Sequence, residues 1–382
     1  MDRIFVLGAY GCGNRGDDAI LQSITENFRD YEVYATCGSY ENIESWLPVK
    51  KIPCRLNEGF SFPILICMIK SSVKIVEAIR KSKALIFGGG SLIHDLTPYN
   101  LPFLYLWHLV AKALKKQVFY FCIGVGPLKS DFGKFLSKKF LSHADGLFVR
   151  DLRSLSYCQE LGTENAVLVK DGAFLVKTRN QCGKKTLLEL GLIENEYACV
   201  TASQWFESSN FWNRSEIDFS NAVQNFIACV KMFQTCTGKR IVFVPTVFHD
   251  QKIGTILQDS IEGEITLVPP DYTSKQMAEV IENCWFLMAV RMHSMIFAAR
   301  QGVPFLPLIY DEKVRQLLLL LGMEQYGLNL SNITPCDILG TMGIMLEQYD
   351  NIRANLLSKA ENFYKENLNA VAIIQKKLEG IK

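Results

Sequence analysis

The sequence has 12 cysteines but no C-x-x-C pair and no paired Cys/His spacing. That argues against a zinc site and against a disulfide framework of the small secreted kind. Cys67, Cys122, Cys199 and Cys229 sit inside apolar runs, where a reduced thiol acts as a small hydrophobe. Net charge is also scarce, at +2 over 382 residues. No bulk pull toward nucleic acid or an anionic membrane follows, and nucleic acid is not an expected partner. Long hydrophobic runs are missing. The longest, Phe60–Ile69, falls short of the about 20 residues that a membrane-spanning helix needs. Met1-Asp2-Arg3 leads straight into Ile4-Phe5-Val6-Leu7, which is too short for a secretory core and has no cleavage site after it. The expected location is the cytoplasm. Short repeats and low-complexity tracts are absent too.

What is present is a chain long enough for two hydrophobic cores. Short apolar runs alternate with helical stretches. Strands are expected at Ile4–Leu7, Val33–Ala35, Ala84–Phe87, Val118–Ile123, Gly146–Val149 and Val167–Val169, with helices at Asp17–Phe28, Ile64–Arg80, Leu101–Leu114 and Asp131–Leu141. The polar segment Lys177–Lys185 reads as a linker. The rhythm restarts with strands at Ala198–Ala202, Ile241–Val244, Ile265–Val268, Phe286–Val290 and Phe305–Ile309, and the tail from Asp337 is mostly helical. The expected fold class is α/β, with two Rossmann-like domains facing across a cleft. The first covers 1–178 and the second 186–350, and a terminal helix, 351–382, is expected to pack back on the first. Ligands of open parallel sheets bind at the carboxyl ends of strands, so the loops after strands should hold the chemistry.

Three such loops stand out. Gly8 to Leu21 follows the first strand and opens a helix. Gly13, Asn14 and Gly16 let the backbone approach a ligand, and Asp17 and Asp18 are candidate bases. Gly11, Gly13 and Gly16 spell G-x-G-x-x-G, but the extra loop Gly8–Tyr10 and the acidic helix start speak against a dinucleotide. The second loop, Phe87 to Asp95, offers Gly89, Gly90 and Ser91 as a backbone cradle, with His94 either facing a ligand or starting a helix. The third is Val290-Arg291-Met292-His293. Arg291 can grip a carboxylate or phosphate with paired hydrogen bonds, and His293 can exchange a proton near neutral pH. Arg150 at another strand end either binds an anion or pairs with Asp151. Lys313, just past the last strand, is either a second anion contact or a solvated helix start.

Together these segments resemble the polysaccharide pyruvyl transferase family, whose architecture is similar to that of GT-B glycosyltransferases. The matching elements run in order: Gly13 to Ala19, Gly88-Gly89-Gly90, Val149-Arg150-Asp151, Asp171-x-Ala173-Phe174, Val244-Pro245-Thr246, Arg291-Met292-His293, Gly302-Val303-Pro304 and Tyr310-Asp311-x-Lys313. The resemblance implies transfer of pyruvate from phosphoenolpyruvate, as co-substrate and without a further cofactor or metal, to a sugar of a surface polysaccharide, forming a ketal. It also implies that Arg291, Met292 and His293 meet the donor, joined by Arg150. Where family members carry a Ser-Leu-Arg end to a strand, this chain reads Thr201-Ala202-Ser203-Gln204-Trp205. The substitution leaves one anion contact unassigned. The acceptor implied is a lipid-linked oligosaccharide, and Phe60–Arg80 is either a membrane-surface segment or a core helix with snorkelling lysines. Two rival readings share the sequence: a GT-B glycosyltransferase with a nucleotide-sugar donor, and a catalytically silent homologue that binds a sugar or a partner.

Overall fold

A computed structural model describes residues 1–38, 47–54, 62–176, 185–203, 219–261, 263 and 265–380, without the side chains of 62–70 and 219–220. The chain divides into two units. The first holds residues 1–177 and 363–382, the second 178–362.

The first unit contains β1 (Asp2–Leu7), β2 (Tyr31–Cys37), β3 (Val49–Pro53), β4 (Ala84–Gly88), β5 (Gln117–Ile123), β6 (Gly146–Val149) and β7 (Ala166–Leu168). Their order is β3-β2-β1-β4-β5-β6-β7, and every pairing is parallel. Helices α1 (Arg15–Asn27), α2 (Phe62–Lys81), α3 (Asn100–Ala113), α4 (Asp131–Leu141) and α5 (Leu152–Glu160) connect them. Buried on both faces, the central strands are runs of apolar residues, as parallel sheets require. Phe87 stacks on Tyr120 at 4.6 Å. His108 Nδ1 meets the Tyr120 hydroxyl at 3.0 Å inside this core, and burial pushes its pKa down to about 4, so the imidazole is neutral and structural.

The edge strand β3 has no counterpart in the sequence reading. Its Lys50 and Lys51 dilute the apolar pattern and Pro53 ends it, a composition that suits a sheet edge. Helix α5, also unexpected, is short and is capped by Asp151, whose carboxylate accepts from Ser154 N–H at 2.7 Å.

The second unit repeats the plan. It contains β8 (Tyr197–Val200), β9 (Arg240–Phe243), β10 (Ile265–Leu267), β11 (Phe286–Ala289), β12 (Phe305–Ile309) and β13 (Leu328–Asn329), in the order β10-β9-β8-β11-β12-β13. Its helices are α6 (Lys185–Glu189), α7 (Phe219–Thr237), α8 (Gln251–Ser260), α9 (Ser274–Glu282), α10 (Met292–Arg300), α11 (Glu312–Leu321) and α12 (Pro335–Glu347). In each sheet the strand order reverses beside the first strand, between β1 and β4 and between β8 and β11. That switch point opens a crevice at the strands' carboxyl ends.

The last helix, α13 (Tyr349–Glu379), is continuous across residues counted with both units. Tyr349 stacks on Trp285 at 5.5 Å in the second unit. In the first, Asn367 accepts from Lys170 N–H at 2.8 Å and donates to Asp171 O at 3.0 Å. The second unit therefore runs past the expected end at 350, because the first turns of α13 are held by their own sheet. No helix among the described residues is long and apolar enough to cross a membrane. The linker residues 177–184 and Gln204 lie outside the described residues.

Candidate functional site

In the first unit the chemistry-bearing loops after β1, β4 and β6 converge. The loop after β1 is a closed structure. Asn14 caps α1, accepting from Gly16 N–H at 3.1 Å and donating to Asp17 Oδ2 at 2.7 Å. Asp18 turns inward and is 2% exposed. Its Oδ1 accepts from Gly11 N–H at 2.8 Å and its Oδ2 pairs with Arg15 at 3.3 Å. Gly11 and Gly13 adopt left-handed φ values of 65° and 82°, which glycine enters at little cost. Of the two adjacent acids, Asp18 builds the loop and Asp17 is the half-exposed one.

Asp17 borders the β4 loop: a Cβ at Gly90 would stand 3.5 Å from its Oδ1. The next residue, Ser91, accepts from Arg150 Nη2 at 2.7 Å. Arg150 is 5% exposed and also donates to Asp171 Oδ2 at 3.1 Å, with Asp151 at 3.5 Å. Burial alone pulls its pKa down, but Asp171, Asp151 and Asp17 outweigh it and hold the guanidinium above its ordinary value. So Arg150 is paired with Asp151 and also reaches the glycine cradle. Asp17, Gly90, Ser91 and Arg150 form one cluster at the switch point. His94 lies four residues past Gly90 and starts no helix, since α3 begins at Asn100. Burial lowers its pKa, partly opposed by Asp95, so it is a neutral imidazole at neutral pH. Asp95 itself accepts from Ser130 N–H at 2.6 Å and Lys129 N–H at 2.8 Å and is structural.

The glycines here are tightly used. Gly89 has φ 62°, and a Cβ on it would lie 2.3 Å from Ile20 Cγ2. Gly89→Ala is expected to cost about 2–4 kcal/mol through overpacking and left-handed strain. A lowered urea midpoint with an unchanged slope checks this. Tyr10, 1% exposed, donates from its hydroxyl to Gly88 O at 2.6 Å and fills the space beside Gly8 and Gly88.

In the second unit Arg291 follows β11 and caps α10. Its Nε donates to Asp250 Oδ2 at 2.9 Å and to Ala202 O at 3.2 Å, and its Nη2 to Asp250 Oδ1 at 2.5 Å. Asp250 is fully buried, whereas the Arg291 side chain is 21% exposed. Burial pulls the Arg291 pKa down, and Asp250 and then Tyr310 overcompensate, so the cation is secure. Ser294 hydroxyl donates to Arg291 O at 2.6 Å and meets Thr201 Oγ1 at 3.1 Å, which fixes the strand end. His293 is half-buried in the first turn of α10, where N–H groups without intrahelical acceptors favour negative charge. Met292 between them is 6% exposed and packs with the buried hydrophobic residues of the second unit. Lys313 Nζ stands 5.3 Å over the Tyr310 ring and 3.7 Å from Asp311 Oδ2, one-third exposed. Tyr310 thus links Lys313 to Arg291.

Asp250 escaped the sequence reading. The signal was an acid in the loop after the second strand of the second half. Among the described residues, no group of three or more His, Cys, Asp or Glu is placed to hold a metal ion.

Residues 14–312, which include most of both clusters, match the family described as polysaccharide pyruvyl transferase. The chain is 22% identical over 415 residues to the amylovoran biosynthesis protein AmsJ of Erwinia amylovora, covering 94% of this chain and 95% of that one. In three dimensions it is similar to S. aureus MnaA solved with UDP (TM-score 0.65, 13% identity, 100% of this chain and 98% of that one). It is also similar to HepE of Anabaena solved with UDP and glucose (TM-score 0.59, 12% identity, 100% of each chain). At these identities the structural likeness speaks for the fold, two Rossmann-like units of the GT-B type.

Proposed function

The chain belongs to the polysaccharide pyruvyl transferase family, and from that premise we propose that it transfers pyruvate from phosphoenolpyruvate to a sugar of a surface polysaccharide or its lipid-linked precursor, forming a ketal. The observation that carries the reading is Arg291, a cation held rigid by a buried carboxylate with His293 two residues on. A relative named for amylovoran biosynthesis supports the polysaccharide setting.

Phosphoenolpyruvate brings a carboxylate and a phosphate. Arg291, Lys313 and the N-terminus of α10 supply positive charge for them. His293 in its protonated form delivers a proton to the methylene carbon, and C2 becomes oxocarbenium-like. A sugar hydroxyl adds to C2, a base taking its proton. A second hydroxyl then replaces phosphate: its oxygen bonds to C2, its proton passes to the departing phosphate, the C2–O(phosphate) bond breaks, and the ketal closes. Within the first unit Asp18 is committed to its own loop, so Asp17 and His94 are the candidate bases that unit offers, with Arg150 and Ser91 beside Gly90.

Thermal unfolding tests the donor. Phosphoenolpyruvate is expected to raise the midpoint by mass action, and the rise is expected to vanish in Arg291→Ala. A rise with UDP and none with phosphoenolpyruvate would instead assign a nucleotide-sugar donor.

A further inference from the structure

Helices α2, α3 and α4 pack beside one another on the first sheet, α3 against both neighbours. The most exposed residues of α3 are uncharged, Pro102, Leu106, Leu109 and Ala113, and its one lysine, Lys112, is paired with Asp145. Leu106 and Leu109 are 50% and 45% exposed, and on α4 Phe132 and Phe135 are 62% and 57% exposed. Each pair is spaced i, i+3 and therefore shares one helix face. A single Leu or Phe at a surface needs no explanation, but apolar pairs turned outward on adjacent helices mark a docking surface.

The charge around them has one dominant sign. Across residues 129–141 four lysines, Lys129, Lys134, Lys138 and Lys139, stand against Asp131, and all five are exposed. Lys139 Nζ sits 5.5 Å over the Phe135 ring, so cation and apolar surface are interleaved. The chain as a whole is near neutral, at +2. The basic excess is therefore local to the apolar patch.

We propose that this α3–α4 face docks on an anionic lipid surface. Leu106, Leu109, Phe132 and Phe135 enter the headgroup boundary, and the lysines pair with lipid phosphates. A second copy fits the face poorly. A twofold interface places a patch against itself, which would set these lysines against their own kind. The location differs from the Phe60–Arg80 segment named from sequence, whose first half lies outside the described side chains. The proposal suits a lipid-linked acceptor, but it stands on the surface alone and not on the donor.

Co-sedimentation of the full chain with vesicles tests it. Vesicles of phosphatidylcholine with phosphatidylglycerol are expected to carry the protein down at low salt, and phosphatidylcholine alone is not. Raising ionic strength should release it. Lys134→Ala/Lys138→Ala should weaken binding by about thirty-fold, and Leu106→Ser/Phe132→Ser should abolish it. These positions are exposed, and an unchanged unfolding midpoint confirms that the variants fold. No binding to anionic vesicles, or equal binding by the variants, overturns the proposal. So does a wild-type dimer that the same substitutions split, which would assign the face to a second copy. Because sedimentation reads no turnover, none of these results touches the pyruvyl transfer reading, and failure of that reading leaves them standing.

Discussion

His293→Ala is expected to lower turnover by about 10²–10⁴-fold, the usual contribution of a positioned proton donor. Release of phosphate from phosphoenolpyruvate, with a lipid extract of the source cells as acceptor, measures it. The side chain is half-buried on the first turn of a short helix, with its neighbours Met292 and Ser294 anchoring the backbone. Folding should therefore survive, and the unfolding midpoint should stay near that of the wild type. The loss should fall on kcat more than on KM, because the proton moves in the transition state and Arg291 still holds the donor. A folded variant that turns over at the wild-type rate would remove His293 from the role. A folded variant that loses donor binding alone would make His293 a donor contact and not an acid.

Asp250→Ala is expected to have the largest effect on stability. Its carboxylate is fully buried and gives both oxygens to Arg291. Breaking a buried ion pair costs about 3–5 kcal/mol, and the partial exposure of Arg291 puts this case at the lower end. For a unit of this size each kcal/mol moves the midpoint by about 2–4 °C. A loss of about 3 kcal/mol therefore lowers it by roughly 6–12 °C. Asp250→Asn keeps the shape and one acceptor oxygen, so it should fold better but hold Arg291 less rigidly. Its signature is a raised KM for phosphoenolpyruvate with kcat nearly kept. Asp250→Ala/Arg291→Ala should cost less than the two single changes added, since removing both partners strands no charge. Strict additivity in that cycle would mean that the two side chains do not act as a pair.

Both predictions depend on features of different legibility. The βαβ rhythm and the strand-end positions of the glycine loops and of Arg291 were readable, because parallel strands buried on both faces are plain apolar runs. β3 was not, since an edge strand carries the lysines and proline that erase that pattern. Which of Asp17 and Asp18 faces inward was not readable either. Two neighbours on a helix differ by about 100° in direction, and the letters alone do not say which one meets Gly11 and Arg15. The partnership of Asp250 with Arg291 spans 41 positions. It exists because β9 and β11 flank β8, so their carboxyl ends come within reach of one arginine, whose Nε also meets Ala202 just past β8. Only the strand order supplies that. Arg150 with Asp171 is the same case across 21 positions.

The Tyr10 hydroxyl on Gly88 O has a bearing on how such a chain drifts in evolution. A Cβ on Gly8 would stand 2.6 Å from Tyr10 Cζ, and one on Gly88 would stand 2.4 Å from its hydroxyl oxygen. The three positions are thus sterically tied to one another. An alanine at 8 would press on the Tyr10 ring and on Gly88 O, one at 88 on the Tyr10 hydroxyl, and loss of that hydroxyl would take a donor from a buried carbonyl. Substitutions at the three positions are therefore expected to be coupled, the effect of one depending on the residue at the others.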